Sequence, residues 1–152
     1  MEINIIGYEP ALQPHFERIN KQWIEEYFSL EPFDLEQLES PEESILKKGG
    51  AILFAKLGEN IVGTVALKPS ESGVWEMIKM GVSPEARGKQ VGLALGLAVL
   101  EKARSMGIQT LELYSNTRLE AAVGLYRKLG FQEVPMSCTS YGRCDIKMEI
   151  HL

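Results

Sequence analysis

The chain has 152 residues, 45% of them hydrophobic, and carries 16 Lys and Arg against 21 Asp and Glu, a net charge of −5 at pH 7. That length predicts one domain over residues 1–152, able to bury roughly 70% of its unfolded surface without a disulfide or metal staple. No basic cluster suggests nucleic acid. The apolar run Val91 to Leu100 is about half of what crosses a bilayer, and no basic-then-apolar leader opens the chain, so the expectation is a soluble, cytoplasmic protein.

In chain order, Ile3 to Tyr8 predicts a strand. Ala11 to Tyr27 predicts a helix with Phe16, Ile19, Trp23, Ile24 and Tyr27 on one stripe. The acidic stretch Ser29 to Ser40 predicts a short helix from Leu35. Pro41 suits the first turn of another, ending near Lys47 before Gly49-Gly50. Ala51–Lys56 and Ile61–Leu67 predict a hairpin. After a turn at Ser70–Gly73 comes a strand from Val74 to Val82, then a long helix from Val91 to Met106. A strand near Thr110–Tyr114, a helix from Leu119 to Leu129 and a short strand at Phe131–Val134 follow. Tyr141 to Ile150 closes the chain as a strand, with Cys144, Ile146, Met148 and Ile150 alternating against charges. The order predicts a mixed α/β (α+β) domain with a largely antiparallel sheet. Cys138 and Cys144 read as two thiols of a reducing compartment, with a hairpin disulfide as the alternative.

The segment between the Val82 strand end and the Val91 helix start carries chemistry. It runs Ser83-Pro84-Glu85-Ala86-Arg87-Gly88-Lys89-Gln90-Val91-Gly92-Leu93-Ala94. N–H groups at a helix start lack intrahelical partners, and the helix dipole adds positive charge there. Glycine permits close approach to the backbone, and arginine adds a planar donor fork. The segment fits a pyrophosphate. It is not a Walker A loop, since Ser83 stands where the first Gly is needed and Gln90 follows Lys89; nor does it contain G-x-G-x-x-G. The competing reading is an ordinary strand-to-helix turn.

The loop resembles the acyl-CoA loop of the GNAT superfamily of N-acyltransferases, Gln/Arg-x-x-Gly-x-Gly/Ala. Arg87 and Gly92 match its ends, and Gln90 replaces its middle Gly. About thirty residues on, Asn116, Ala122, Leu125, Tyr126, Gly130 and Phe131 resemble that family's Asn…Ala…Leu-Tyr-x-x-Gly-Phe. The resemblance implies a GNAT-like fold, its sheet splayed at the cofactor site and flanked by helices. It implies acetyl transfer from acetyl-CoA to a primary amine by direct attack on the thioester. The acceptor would be a small-molecule or peptide amine, the protein a monomer or homodimer, and no metal takes part. A non-catalytic acyl-CoA-binding module of the same fold is the alternative.

The resemblance also suggests residue roles. Residues Arg87 to Ala94 (Arg87, Gly88, Lys89, Gln90, Val91, Gly92, Leu93, Ala94) would hold the pyrophosphate. Met80 and Val82 would offer backbone groups to the pantetheine arm, like an added strand. Asn116 would touch that arm, or simply form a turn. Tyr126 would protonate the departing thiolate, or else be a core aromatic. A lysine-like amine is neutral in roughly one molecule per 2,500 at pH 7, so a base helps. Glu76 is the candidate, against a solvated strand glutamate. Lys79 falls on the opposite face from Glu76 by alternation unless a bulge intervenes. Trp23, Tyr27, Phe28, Glu31 and Asp34 would line the acceptor side with aromatic and negative surface suited to a cationic amine. The competing reading has the aromatics packing and the acids facing water.

Overall fold

The computed structural model describes residues 2–70, 73–136 and 142–152. Cys138, the predicted strand start at Tyr141, and Glu71 and Ser72 of the predicted turn lie outside them. The strands are β1 (Ile3–Gly7), β2 (Ala51–Leu57), β3 (Asn60–Pro69), β4 (Trp75–Val82), β5 (Thr110–Ser115), β6 (Gln132–Val134) and β7 (Ile146–His151). The helices are α1 (Gln13–Tyr27), α2 (Pro32–Glu39), α3 (Pro41–Ser44), α4 (Val91–Ser105) and α5 (Glu120–Leu129). They flank one open seven-stranded sheet in the order β1-β2-β3-β4-β5-β7-β6. Every pairing is antiparallel except β4 with β5.

Strand alternation splits the apolar side chains between two cores. Val65, Leu67, Met77, Leu111, Leu113 and Met148 face α4 and α5, meeting Leu95, Val99 and Val123. Ile52, Phe54, Ala66 and Ile78 face α1 to α3, meeting Phe16, Ile19, Ile24 and Leu38. One face of α4, Val91, Leu95, Val99, Leu100 and Ala103, is thus buried against the sheet, while Leu97 on the other side is exposed. At the end of α5, Gly130 takes φ 109°, and the Phe131 N–H bonds the Tyr126 carbonyl at 3.0 Å, closing the helix as its sequence predicts.

Two features of the sheet create the site. The parallel β4–β5 ladder pairs Trp75 with Leu111 and Glu76 with Glu112, and then the strands part. The β4 edge beyond Glu76 therefore keeps backbone groups unpaired on its β5 side. In addition, β4 bulges at Lys79–Met80: Ala66 faces Ile78 while Thr64 faces Gly81. Lys79 has φ 54°, a left-handed conformation rare for a side chain with a Cβ.

Two boundaries differ from the sequence expectation. α2 starts at Pro32, ahead of Leu35, because the Asp34 carboxylate accepts the Glu31 N–H at 3.0 Å and closes its first turn. β7 starts at Ile146, so Cys144 precedes the strand and is not part of its alternation. The preceding residues are drawn elsewhere: the Asp145 N–H bonds the Ser115 carbonyl at 3.0 Å, and the Arg143 side chain reaches α2.

Candidate active site

Where β4 and β5 separate, a cavity of about 790 Å³ opens. Its walls are β4 from Glu76 to Val82, the end of α1 (Trp23, Tyr27, Phe28), the loop and helix start from Ala86 to Leu93 except Lys89, β5 from Leu113 to Asn116, the segment Arg118–Ala122, and Gly124, Leu125, Tyr126 and Lys128 of α5. Arg143 and Cys144, ahead of β7, complete it.

The helix start presents an anion-binding backbone. Gln90, the residue before α4, makes no side-chain cap, so the first N–H groups of α4 keep their donor capacity. Gly88 and Gln90 both take positive φ, 78° and 64°, which turns successive amides toward one side. Arg87 stands beside them, its guanidinium donating to Glu26 of α1 at 3.1 Å on an exposed edge. Gly92 serves packing: a Cβ there would lie 3.1 Å from Leu125 Cδ2, so its absence lets α5 close on α4.

On the other wall the bulge is fixed by a relay of hydrogen bonds. Trp23 Nε1 donates to Asn20 Oδ1 at 2.8 Å, Asn20 Nδ2 to Thr64 Oγ1 at 3.0 Å, and Thr64 Oγ1 to the Lys79 carbonyl at 2.8 Å. The Trp23 indole can sit here because residue 81 is glycine; a Cβ would come within 2.6 Å of its ring. The bulge turns Lys79 onto the face of Glu76, the exception that the alternation reading allowed for. There Lys79 Nζ donates to Asp34 Oδ1 at 2.6 Å, both side chains fully buried. Arg143 grips Asp34 with two bonds, 2.7 and 2.8 Å, and reaches Glu31 at 3.0 Å. Burial alone would raise the Asp34 carboxyl; hydrogen bonds from Arg143 and the Lys79 charge outweigh it and hold Asp34 well below the usual carboxylate range. Burial pulls the Lys79 ammonium down, against the pull of Asp34.

Glu76 is 7% exposed and lines the cavity. Burial, helped by the neighbouring Glu112 carboxylate, pushes its carboxyl up to about 7 against the opposing charges of Lys68, Lys79 and Lys147. That value suits a group that must exchange a proton near neutrality. Tyr126 also lines the cavity, packed edge-on against Phe131 at 6.1 Å. Among the described residues Ser83 Oγ is the buried side-chain polar atom without a partner. Burial raises the Tyr126 phenol above the ordinary value. The same burial pushes the Cys144 thiol up to about 11. A thiolate formed in this cavity is therefore a stronger base than in water, and a neutral phenol beside it can donate a hydrogen bond without giving up its own proton.

The family model described as "Acetyltransferase (GNAT) family" matches residues 16–131. This chain belongs to the GNAT acetyltransferase family. An uncharacterized N-acetyltransferase, YjgM of Escherichia coli K12, is 35% identical over 88 residues, covering 57% of this chain and 53% of that protein. The chain thus spans about half the length of that relative. In structure it is similar to a GNAT acetyltransferase of Staphylococcus aureus Mu50, with TM-score 0.87, 22% identity and 99% of each chain covered. It is also similar to the PaiA N-acetyltransferase of Thermoplasma acidophilum in complex with coenzyme A, with TM-score 0.80, 19% identity and 100% of each chain covered.

The residues carrying the GNAT resemblance gather around one cavity, but not all sit on its wall. Met80, Val82, Arg87, Gly88, Gln90, Val91, Gly92, Leu93, Asn116, Tyr126, Glu76, Trp23 and Tyr27 line it; Lys89 and Ala94 do not. Asn116 is already engaged: its Oδ1 accepts the Arg118 N–H at 2.8 Å and its Nδ2 donates to the Arg143 carbonyl at 2.6 Å. It is a turn-forming asparagine that ties the β5 end to the segment before β7. Glu31 and Asp34 are absent from the wall, and their charge is taken by Arg143 and Lys79. The expected negative lining is therefore not there; the cations of that network line the cavity instead. Asn20, Thr64, Arg118 and Arg143 went unmarked in the sequence. A polar Asn20 on an otherwise apolar helix stripe was the one available signal. Among the described residues no group of three or more His, Cys, Asp or Glu is placed to hold a metal ion.

Proposed function

We propose that this protein transfers the acetyl group of acetyl-CoA to a primary amine, and that the cavity between β4 and β5 is where it does so. The observation carrying the reading is the splay itself. It places an unpaired strand edge, an uncapped helix start and a buried carboxyl titrating near 7 around one cavity. These features fit acetyl-CoA: the edge from Met77 to Val82 suits an amide-bearing arm, and the amides of residues 88–93 with Arg87 suit its pyrophosphate. When bound, acetyl-CoA supplies an activated acetyl thioester.

The chain's own residues do the rest. Glu76, ionised above about pH 7, accepts the proton that the acceptor ammonium must lose, directly or through one water. Tyr126 keeps its proton and presents an O–H donor where sulfur charge develops. Trp23, held on Gly81 and bonded to Asn20, keeps the β4 bulge rigid. Transfer is by direct attack, without an acetylated protein group, and the acceptor enters beside the end of α1.

Thiol release from acetyl-CoA, measured across a panel of amines, tests the reading. Amine-dependent release with one acetylated product per thiol supports it. Acetyl-CoA binding by calorimetry without release for any amine would favour the non-catalytic acyl-CoA-binding module.

A further inference from the structure

The cavity's charge is opposite to that of the molecule. Among the described residues that line it, Lys79, Arg87, Arg118, Lys128 and Arg143 are cationic, and only Glu76 and Glu120 are acidic, in a chain of net charge −5. Arg87 is accounted for by the phosphate loop. Lys79 and Arg143 belong to the buried network, whose acids Glu31 and Asp34 lie off the wall, so that network turns its positive side to the cavity. Arg143 stands over the Trp23 ring at 6.0 Å.

Arg118 is of a different kind. Its guanidinium lies over the Phe28 ring at 5.2 Å and donates one bond, to the Tyr27 carbonyl at 3.1 Å. Its backbone N–H is pinned by Asn116 at 2.8 Å, just ahead of α5. Thus the planar fork is held by stacking and by a neutral acceptor, with no carboxylate against it among the described residues. A guanidinium offers five N–H donors in a geometry that matches a carboxylate. Lys79, Arg87 and Arg143 carry ion-pair partners, so among the described residues Arg118 is the wall's arginine left to meet an anionic group on the acceptor.

We propose that the acceptor amine carries a carboxylate of its own, as in an amino acid, and that Arg118, with the positive wall at Arg143, holds that carboxylate while the amino group faces Glu76. The inference rests on the N-acetyltransferase reading above. An oxyanion at Arg118 could come from either of two sources, the acceptor's carboxylate or a phosphate of acetyl-CoA, and the kinetic constants separate them.

Thiol release is measured for the proteinogenic L-amino acids and for the matching carboxamides, which keep the amine and lose the carboxylate. A charge-assisted bond of about 1.5–3 kcal/mol corresponds to about 10–100-fold, so kcat/KM for the preferred acid should exceed that of its carboxamide by that factor. Arg118→Gln should raise the KM of that acid about tenfold or more while leaving the KM of its carboxamide and of acetyl-CoA in place. Carboxamides or plain alkylamines turned over as well as acids would overturn the proposal and leave N-acetyl transfer standing. A raised acetyl-CoA KM in Arg118→Gln, with the acid's KM unchanged, would assign the guanidinium to the cofactor and overturn it too. No release with any amine, despite acetyl-CoA binding, would instead end the transferase reading on which it rests.

Discussion

Glu76 is the residue whose environment says most. Its native value of about 7 lies above the ordinary 4.5, so the folded protein holds that proton more tightly than the unfolded chain. The group is neutral in both states below about pH 4.5, then costs stability increasingly as pH rises toward 7, to a limit on the order of 3 kcal/mol. Glu76→Gln removes that cost and the base together. Melts should show Gln stabilising the fold at pH 8 and not at pH 4, while the rate at neutral pH falls and its rising limb near pH 7 disappears. A variant equally stabilised at both pH values, or one with the wild-type rate profile, would make Glu76 an ordinary wall residue. Tyr126→Phe tests the donor. It should lower kcat by about 10²–10⁴-fold and leave acetyl-CoA affinity intact, because the bond strengthens mainly as sulfur charge develops. A loss below about threefold would give the proton to water. Gln90 holds φ 64°, a conformation that costs a side chain about 1–2 kcal/mol. Gln90→Gly relieves that strain against a backbone-entropy loss of about 0.5–1 kcal/mol. Urea melts should show unchanged to slightly higher stability, and calorimetry tighter acetyl-CoA binding; a clear destabilisation would mean the Gln side chain is needed.

At the scale of elements, α2, β4 and the segment before β7 are joined by Asp34. Its bonds to Lys79 and Arg143 span 45 and 109 residues of sequence. Removing one partner of a buried charge network leaves the others uncompensated, at about 3–5 kcal/mol. Asp34→Asn should therefore destabilise by that order in urea melts and disturb the acceptor side more than the cofactor side, raising the acceptor's KM. Stability within about 0.5 kcal/mol of wild type would show that the network is dispensable. These long-range links explain what the sequence could and could not tell. The helices and the hairpin were legible because their signals are local: Gly130 after a periodic run, Pro41 at a helix start. The turn from β4 into α4, proposed above for the pyrophosphate, was legible for the same reason. The Lys79 bulge was not, since it depends on Thr64 and Asn20 from other elements. Asp34 and Glu31 read as free acids because their cationic partners lie so far along the chain. Asn116 read as a cofactor contact or a turn former, and its turn and its bond to the Arg143 carbonyl, from a residue 27 positions on, engage both ends of the amide.

For the whole molecule, the sheet explains why a chemical site exists at all. Two halves of the sheet meet through one parallel pair of strands, and that pair separates after two residue pairs. The separation leaves backbone donors and acceptors that a continuous sheet would have satisfied. The helices on either side keep the gap open: α4 and α5 behind it, and the end of α1 in front, tied through Glu26 to Arg87 and through the Tyr27 carbonyl to Arg118. Arg118 and the loop at Arg87 are the places proposed above for anionic ligands in an otherwise acidic protein. The most direct test of this account is a titration of the isotope-labelled protein with acetyl-CoA, followed by backbone amide NMR. The account predicts saturable shifts concentrated at residues 77–82, 88–93 and 113–116, where unpaired N–H groups border the cavity. Shifts confined to another face, or none at millimolar acetyl-CoA, would contradict it.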